Sequence, residues 1–350
     1  MRQRVLVARL DSMGDVLLAG PAIRAVARRA EAVLLCGPRG DEAGALLPGV
    51  SRRIVWDAPW ISDPPPPVTP ARVVELLTRV RAARVEEAVI LTSFHQSPLP
   101  LALLLRMAGV RRIAGASVDY AGSLLDVRLR PGEDLPEDIP EAERALAIVE
   151  AAGFPRDDDG RLRVLPTPDT TELTGEEPYV VLHPGAAVPA RRWPIEGFAR
   201  AARLLDERGR RVVLTGGEAE LPLTALILRE APDAIDLAAA CTLPQLAGVL
   251  ERADVLVAGN TGPSHLAASV GTPVVSLFSP VVPAVRWAPY RVPTRVLGDQ
   301  SAPCRGTRAR VCPVPEHPCL SRVTAEEVVD AVLELEPLGR AARRGAPAMT

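Results

Sequence analysis

The sequence predicts an α/β protein with two parallel sheets, each covered by helices. Short apolar runs alternate with amphipathic segments in both halves of the chain, and one polar, proline-rich passage separates the halves. Strands that alternate with helices form parallel sheets, and 350 residues are enough for two domains of typical size. The composition, 47% hydrophobic and 24% charged, is typical of a soluble globular protein and excludes the disordered and fibrous classes.

The first half opens with a βα unit. An apolar strand over residues 5–8 leads into the turn Ser12-Met13-Gly14-Asp15, and a helical pattern follows over residues 16–29. Further strands are predicted at residues 32–36, 53–55 and 88–92, and further helices at residues 69–83 and 99–108. We therefore expect one parallel sheet in this half.

The passage over residues 154–178 lacks any sustained period and marks the domain boundary. We expect an N-terminal domain over residues 1–165, a C-terminal domain over 175–336 and a flexible tail over 337–350. The second half repeats the βα pattern. Its strands are predicted at residues 179–182, 211–215 and 255–258, and its helices at 195–207, 221–231, 243–252, 263–270 and 324–335.

The loop over residues 259–265 joins a buried strand to the start of a helix. The first backbone N–H groups of a helix lack internal partners, and the helix dipole adds about half a positive charge there, so this end attracts phosphate. Gly262 allows close approach of a ligand, and Pro263 suits the first helical position. Side-chain donors are available on Thr261, Ser264 and His265. The loop predicts a nucleotide site, and an ordinary helix entry is the alternative.

Other polar residues follow predicted strands, where open α/β sheets bind their ligands. Asp15 follows the first strand, and its alternative interpretation is a helix N-cap. Arg191 is suited to pair with phosphate oxygens and Glu218 to accept hydrogen bonds from sugar or ribose hydroxyls; each is otherwise a solvated charge. His95 is a candidate acceptor contact or a structural histidine. Two such sheet edges, facing each other, are expected to form a cleft.

The charge and the cysteine content limit the partners. A net charge of −2 and a pI near 6.2 give no broad basic field, so nucleic acid is not an expected partner. Five cysteines, an odd number, fit a reducing compartment. The choice between a metal site and a loop with free thiols stays open for Cys304, Cys312, Cys319 and His317. The Asp-x-Asp pattern at Asp157 and Asp159 is interpreted as a solvated turn.

A cytoplasmic location is expected. The apolar run at the amino terminus is too short for a signal peptide, and no stretch reaches the roughly 18 apolar residues of a membrane span. The apolar helix predicted at residues 99–108 has arginines nearby, which suits peripheral contact with the inner face of the plasma membrane. Packing inside the domain is the alternative role of this helix.

Five segments together resemble the ADP-heptose:lipopolysaccharide heptosyltransferase family, and the resemblance covers roughly residues 4 to 335. They are DSMGDV at residues 11–16, HPG at 183–185, RRWP at 191–194, TGGE at 215–218 and NTGPSH at 260–265. The resemblance implies the GT-B architecture, in which two Rossmann-like α/β/α domains face a central cleft. It implies an inverting, metal-independent transfer of a heptose or related sugar from an ADP-linked donor to a glycan or glycolipid of the cell envelope. No cofactor besides this donor substrate is implied.

The resemblance also implies roles for particular residues. Asp15 matches the catalytic base, which takes the proton of the acceptor hydroxyl. Arg191 matches a phosphate contact that is usually lysine, Glu218 a sugar or ribose contact, and Cys241 the segment beside the nucleotide base. Diphosphate contacts are implied for Thr261, Gly262 and His265, with Ser264 in the same motif. Asn260 stands where the characterised heptosyltransferases have aspartate, so the sugar preference can differ.

Two other functions stay open on this scaffold. A sugar-nucleotide epimerase or hydrolase would isomerise or release the sugar without an acceptor, so transfer to an added acceptor distinguishes it. A binding protein would hold the sugar nucleotide without turnover, and Asp15 argues against that function. A dehydrogenase is not supported, because the first βα turn lacks the Gly-x-Gly-x-x-Gly pattern. The sequence identifies neither the acceptor nor the oligomeric state.

Overall fold

The structure, a computed structural model, describes residues 2–345. The chain divides between Leu165 and Pro166 into two compact units, here called unit 1 and unit 2. The division falls within the polar passage 154–178. Both units contain a parallel sheet with helices, so the predicted α/β class is confirmed.

Unit 1 is built on a sheet that the described residues form from six parallel strands. The strands are β1 (Arg4–Arg9), β2 (Glu31–Cys36), β3 (Val50–Val55), β4 (Glu87–Ile90), β5 (Arg112–Ala116) and β6 (Val127–Leu129). The helices are α1 (Met13–Leu18), α2 (Gly20–Arg29), α3 (Asp41–Leu46), α4 (Pro70–Ala83), α5 (Leu99–Met107) and α6 (Glu141–Ala151). The strand order is β3-β2-β1-β4-β5-β6, so the direction of winding reverses between β1 and β4. Loops diverge at such a reversal and leave room for a ligand.

Unit 2 has the same topology within the part of the chain that is described. Its strands are β7 (Tyr179–His183), β8 (Arg211–Leu214), β9 (Ile235–Asp236), β10 (Val255–Gly259), β11 (Val274–Leu277) and β12 (Thr294–Leu297). Its helices are α7 (Thr171–Thr174), α8 (Ile195–Glu207), α9 (Leu221–Glu230), α10 (Leu243–Arg252), α11 (Gly262–Val270), α12 (Ala284–Trp287), α13 (Pro318–Ser321) and α14 (Ala325–Gly345). The order β12-β11-β10-β7-β8-β9 reverses between β7 and β10.

The central strands of both sheets are buried on both faces. Val5, Leu6 and Val7 of β1 have no exposed surface, and every residue of β10 is buried. Continuous apolar strands of this kind are typical of parallel sheets between two helix layers. The sheets therefore hold the carboxyl ends of β1 and β10 in fixed positions.

Helix α5 carries one buried and one exposed apolar face. Leu101 and Leu105 are buried in the core of unit 1, whereas Leu103 and Met107 are 49% and 52% exposed. None of the helices described in residues 2–345 combines the length and the apolar content needed to cross a membrane. The packing role of α5 is thus observed for most of its apolar residues, all except Leu103 and Met107.

The structure corrects the boundaries of several predicted elements. The single helix expected at residues 16–29 is two helices, because a new helix begins at Gly20 with Pro21 in its first turn. Several strands and helices were not predicted, because they are short or carry mixed polar and apolar residues. These elements are β5, β6, β9, β11, β12, α3, α6, α7, α12 and α13.

The tail expected at residues 337–350 is wrong for its first part, because α14 continues through Pro337 to Gly345. The helix beyond Pro337 is held by packing. Gly339 lies against the backbone of Asp254, and Arg340 Nε lies 3.2 Å from Asp254 Oδ2. Tertiary contacts thus outweigh the helix-breaking effect of proline. Residues 346–350 lie outside the described residues.

Replacing Gly339 by alanine should lower the free energy of unfolding by about 1–3 kcal/mol, because the new Cβ would lie 2.1 Å from the carbonyl oxygen of Asp254. In an exposed helix the same change stabilises by about 1 kcal/mol. The sign of the change in unfolding free energy therefore shows whether residue 339 packs against Asp254. Urea unfolding measures the difference. Leu338→Ala, at a side chain that is 48% exposed, is the matched control and should have little effect. A stabilised Gly339→Ala protein would contradict the packing of α14 on Asp254.

Candidate functional site

Asp15 lies in the first turn of α1, directly after the loop that leaves β1. Its Oδ2 accepts hydrogen bonds from Ser12 Oγ at 2.8 Å and from the Ser12 backbone N at 3.3 Å. Ser12 is the N-cap, so Asp15 supplies the returning bond of a capping box. The Asp15 side chain is 18% exposed. The helix-cap interpretation therefore accounts for one carboxylate oxygen, and the other oxygen meets Arg9.

Arg9, the last residue of β1, is a buried residue that the sequence analysis missed. Its Nη2 donates to Asp15 Oδ1 at 2.9 Å and to Ser93 Oγ at 2.8 Å. Its Nε lies 2.9 Å from Asp11 Oδ2, and its Nη1 lies 3.4 Å from Glu141 Oε2. The available signal was a charged residue at the end of an apolar strand. Glu141 offered no signal, because α6 was not predicted.

The carboxyl end of β4 adds the polar segment 92–97 beside this cluster. Gln96 donates from Nε2 to Asp11 Oδ1, and its Oε1 accepts a hydrogen bond from the Ser93 backbone N at 3.1 Å. His95 is exposed at the same edge. The strand reversal of unit 1 thus brings together the polar residues at the ends of β1 and β4.

Helix α11 begins at the carboxyl end of β10, beside the strand reversal of unit 2. Thr261 is the N-cap with an extended backbone, φ −148°, and its side chain makes no capping hydrogen bond. Gly262 is partly exposed at the first helical position, followed by Pro263. The predicted helix entry is confirmed. Pro263 has no backbone N–H, and the Ser264 N–H donates to the Thr261 carbonyl at 3.2 Å. The feature that suits an anion here is the positive end of the helix dipole, and anion binding there stays a prediction.

The side chains of this loop differ in what they offer a ligand. Asn260 is 5% exposed, and its Nδ2 has no hydrogen-bond partner within residues 2–345. Ser264 Oγ donates to the Gly259 carbonyl at 2.8 Å, so its only hydroxyl proton is engaged inside the loop. The expectation that Ser264 contacts a diphosphate stays a prediction, and such a contact would require this hydroxyl to leave the Gly259 carbonyl. His265 is buried in α11, with 3% exposure.

Arg191 lies beside the start of α11, in the connection between β7 and α8. A Cβ on Gly259 would come within 2.9 Å of the Arg191 carbonyl oxygen, so glycine permits this close approach. Arg192 braces the connection, because its Nε donates to the Ala186 carbonyl at 2.8 Å. The structure thus brings Arg191 and the loop after β10 together.

The turn after β8 contains two carboxylates in different settings. Glu218, the predicted sugar or ribose contact, is exposed. Glu220 Oε2 accepts a hydrogen bond from the Gly217 backbone N at 2.9 Å. The Glu220 side chain also lies against Gly185 and Gly216, where an added Cβ would approach it to 2.5 Å. Glu220 was missed, although the surrounding glycines were the signal that room is kept for a side chain.

His183 ends β7 and is buried at the strand reversal, in register with Ala258 of β10. Its Nδ1 lies 3.1 Å from Thr215 Oγ1. Burial lowers the pKa of His183 to about 4, because a charged imidazole would lose its hydration there. The ring is therefore neutral at pH 7.

Cys241 lies directly before α10, whose N-cap is Thr242. Its side chain is half-buried, and burial raises the pKa of the thiol. The thiol is therefore uncharged at neutral pH. Its predicted place beside a nucleotide base stays a prediction.

The candidate metal groups of the sequence do not form a metal site in the described residues. No group of three or more His, Cys, Asp or Glu side chains there is arranged to hold a metal ion. Cys319 is buried with its Sγ 3.8 Å from Ser279 Oγ, and burial raises the pKa of this thiol to about 11. Asp157 and Asp159 instead form ion pairs with Arg28 and Arg163. The metal interpretation of the following residues is therefore not supported: Cys304, Cys312, Cys319 and His317.

Comparison with known proteins identifies sequence relatives. The family described as glycosyltransferase family 9 (heptosyltransferase) matches residues 98–317. Lipooligosaccharide heptosyltransferase 2 of Haemophilus influenzae is 30% identical over 119 residues, which are 32% of this chain and 34% of that protein. The chain spans about a third to a half of the length of the curated relatives it matches.

Two solved structures share the fold. A glycosyl transferase family 9 protein from Veillonella parvula superimposes with a TM-score of 0.75 at 19% identity, over 96% of this chain and 97% of that chain. The E. coli ADP-heptose lps heptosyltransferase II gives a TM-score of 0.72 at 21% identity, over 97% of this chain and 100% of that chain. The predicted GT-B fold class is confirmed by these similarities.

Acidification should destabilise the protein through His183. The folded-state pKa of about 4 lies below the unfolded value of 6.5, so only the unfolded chain gains a proton between these values as the pH falls. Between pH 7 and pH 5 this group should remove about 2 kcal/mol from the free energy of unfolding. Urea unfolding of the wild type and of His183→Gln at both pH values measures the difference. Equal pH dependence in the two proteins would contradict the buried, neutral imidazole.

Proposed function

Because the chain belongs to glycosyltransferase family 9, the heptosyltransferases, we propose that it transfers a heptose or a related sugar from an ADP-linked donor to a glycan or glycolipid. The transfer inverts the anomeric carbon and uses no metal ion. The observation that carries the proposal is the start of α11 at the strand reversal of unit 2, where the positive end of the helix dipole favours a diphosphate.

The donor contacts are assigned to the carboxyl edge of the unit 2 sheet. Asn260 and His183 are both buried and uncharged near the start of α11. Because neither side chain is negative, neither one repels an anionic ligand there. The backbone of Arg191 lies beside the same loop, and its guanidinium is the proposed positive contact of the diphosphate. Glu218 and the better-packed Glu220 are the carboxylates available to sugar or ribose hydroxyls. The remaining proposed contacts are Cys241, Thr261, Gly262 and His265.

Asp15 is the general base of the proposed reaction. It takes the proton from the acceptor hydroxyl while that oxygen forms a bond to the anomeric carbon. The bond between this carbon and the phosphate oxygen breaks, and the diphosphate leaves with the electron pair. The N-terminus of α11 and Arg191 stabilise the charge on the leaving group. The position of Asp15 at the strand reversal of unit 1, with its carboxylate partly exposed, supports this role.

The acceptor is proposed to be lipid-linked and to bring the enzyme to the inner face of the plasma membrane. The exposed side chains Leu103 and Met107 of α5 are apolar groups that suit such contact. His95, exposed at the end of β4, is the proposed polar contact of the acceptor. The proposed location is therefore cytoplasmic and peripheral.

Asp15→Asn should lower turnover at least a hundredfold, because general base catalysis contributes about 10² to 10⁴ in rate. The assay measures nucleotide release and glycoside formation with ADP-heptose and a truncated lipopolysaccharide as acceptor. Asp41→Asn is the matched control, since Asp41 also lies in a first helical turn with an arginine partner, Arg53 at 2.7 Å. Near-normal turnover of Asp15→Asn would remove this residue from the mechanism. Release or isomerisation of the sugar without acceptor would favour a hydrolase or epimerase instead.

ADP should stabilise the protein more than UDP, GDP or dTDP, since a ligand at about a hundred times its Kd adds roughly 2.7 kcal/mol to the free energy of unfolding. Thermal unfolding with each nucleotide measures this. Arg191→Ala should weaken the stabilisation by ADP, because a charged phosphate contact is lost. Arg200→Ala, at an exposed position of α8, is the control and should respond like the wild type. No stabilisation by any nucleotide would contradict the donor site.

A further inference from the structure

Three carboxylates share one buried guanidinium at the strand reversal of unit 1. The Arg9 side chain is 3% exposed, and its partners Asp11, Asp15 and Glu141 are 10%, 18% and 1% exposed. Arginine alone presents five donors in a rigid planar fork, so a single side chain can meet several acceptors at fixed angles. The most exposed member of the cluster is Asp15, which is the member proposed to act on a substrate.

The contacts of Asp15 fix its carboxylate in rotation as well as in position. Oδ1 accepts a hydrogen bond from Arg9 Nη2 at 2.9 Å, and Oδ2 accepts one from Ser12 Oγ at 2.8 Å. Both oxygens are therefore held, each by a different residue. A base held at both oxygens keeps a defined orientation, which is what proton transfer in a defined geometry requires.

Arg9 is itself held from two other elements of unit 1. Ser93, after β4, accepts a hydrogen bond from Nη2 at 2.8 Å. Glu141, the first residue of α6, lies 3.4 Å from Nη1 and is almost completely buried. A buried carboxylate without a positive partner is strongly destabilising, so Glu141 and Arg9 depend on each other.

The charged groups around Asp15 come from four segments. Arg9 lies on β1, Asp11 on the following loop and Glu141 on α6, while the charge of Arg39 acts on Asp11. Burial raises the pKa of Asp11 above its ordinary value, despite the attraction of Arg9. Burial lowers the pKa of Arg9, but the three carboxylates outweigh this effect and raise it overall. The guanidinium therefore stays charged at every pH at which the protein is folded.

We propose that Arg9 is the positioning residue of the catalytic base: it orients the Asp15 carboxylate and keeps it ionised, and Glu141 holds Arg9 in place for this task. This inference rests on the proposed function, because it assigns Asp15 as the base. Arg9 acts through Asp15 and has no contact with the reacting atoms in the proposal.

The test is the pH dependence of kcat in wild-type and variant proteins. A base loses activity as the pH falls through its pKa, and this fall is the acid limb of the profile. Arg9→Gln removes the neighbouring positive charge, so the acid limb should move up by one to three pH units. Misplacement of the base should also lower the plateau of kcat by about a hundredfold, with little change in the KM for the donor.

Two further variants separate charge from orientation. Arg9→Lys retains the charge without the planar fork, so it should restore most of the acid limb but not the plateau of kcat. Glu141→Gln removes the ion pair that holds Arg9 in place, so the acid limb and the plateau of kcat should change in the same directions as in Arg9→Gln, by smaller amounts. If Arg9→Gln does not fold, the shift in Glu141→Gln still tests the proposal.

Arg4→Gln is the matched control. Arg4 begins β1 and pairs with Glu31 at 2.7 Å, but both side chains are about a third exposed and lie at the opposite end of the strand. The acid limb of the kcat profile of Arg4→Gln should coincide with that of the wild type. An unchanged acid limb in folded Arg9→Gln, or in Glu141→Gln where Arg9→Gln does not fold, would overturn the inference and leave the proposed function standing. A wild-type protein that transfers no sugar would overturn both.

Discussion

The reversal of strand order between two central strands is the constraint on which both units depend. In unit 1 the reversal lies between the neighbouring strands β1 and β4, and in unit 2 it lies between the neighbouring strands β7 and β10. The connections on either side of a reversal leave in opposite directions, so the loops at these strand ends are not covered by a crossing connection. The strands themselves are buried on both faces, which fixes the ends of β1 and β10 with the rigidity of the core. Polar groups at these strand ends are held in fixed positions, because the strands that carry them are tightly packed.

The two units fill the same position with different chemistry. At the reversal of unit 1 the side chains are ionised, and one guanidinium is shared among Asp11, Asp15 and Glu141. Such a cluster is stable only because every carboxylate has a partner, and it ties the loop after β1 to α6. At the reversal of unit 2 the backbone provides the polarity, through the first turn of α11 and the glycine approach between Gly259 and Arg191. Unit 1 is thus suited to hold a proton acceptor and unit 2 to hold an anion.

Much of this organisation could be predicted from the sequence, because it depends on local patterns. The strands over residues 5–8 and 255–258 and the helix entry at Gly262 follow from apolar runs and helix-start residues, which act over a few positions. Contacts between distant segments could not be predicted. Glu141 meets Arg9 across 132 positions of sequence, and α14 continues beyond Pro337 because Gly339 packs on Asp254. Ser264 shows the same limit at short range, since its identity suggested a donor for a ligand while its position directs the proton to the Gly259 carbonyl.

The imidazole at the strand reversal of unit 2 is neutral because it is buried, and its charge state affects which ligand can bind there. A charged imidazole at His183 would have to lose its hydration, so the ring stays neutral and its polar contact is the hydroxyl of Thr215. Asn260 is almost completely buried at the start of α11, where a carboxylate would repel a phosphate held by the same helix. His183 ends one central strand and Asn260 follows the other, and both are neutral. Neither residue therefore cancels the partial positive charge at the start of α11. In the proposed donor site this helix end attracts the diphosphate, and Glu218 and Glu220 are the proposed contacts that select the sugar.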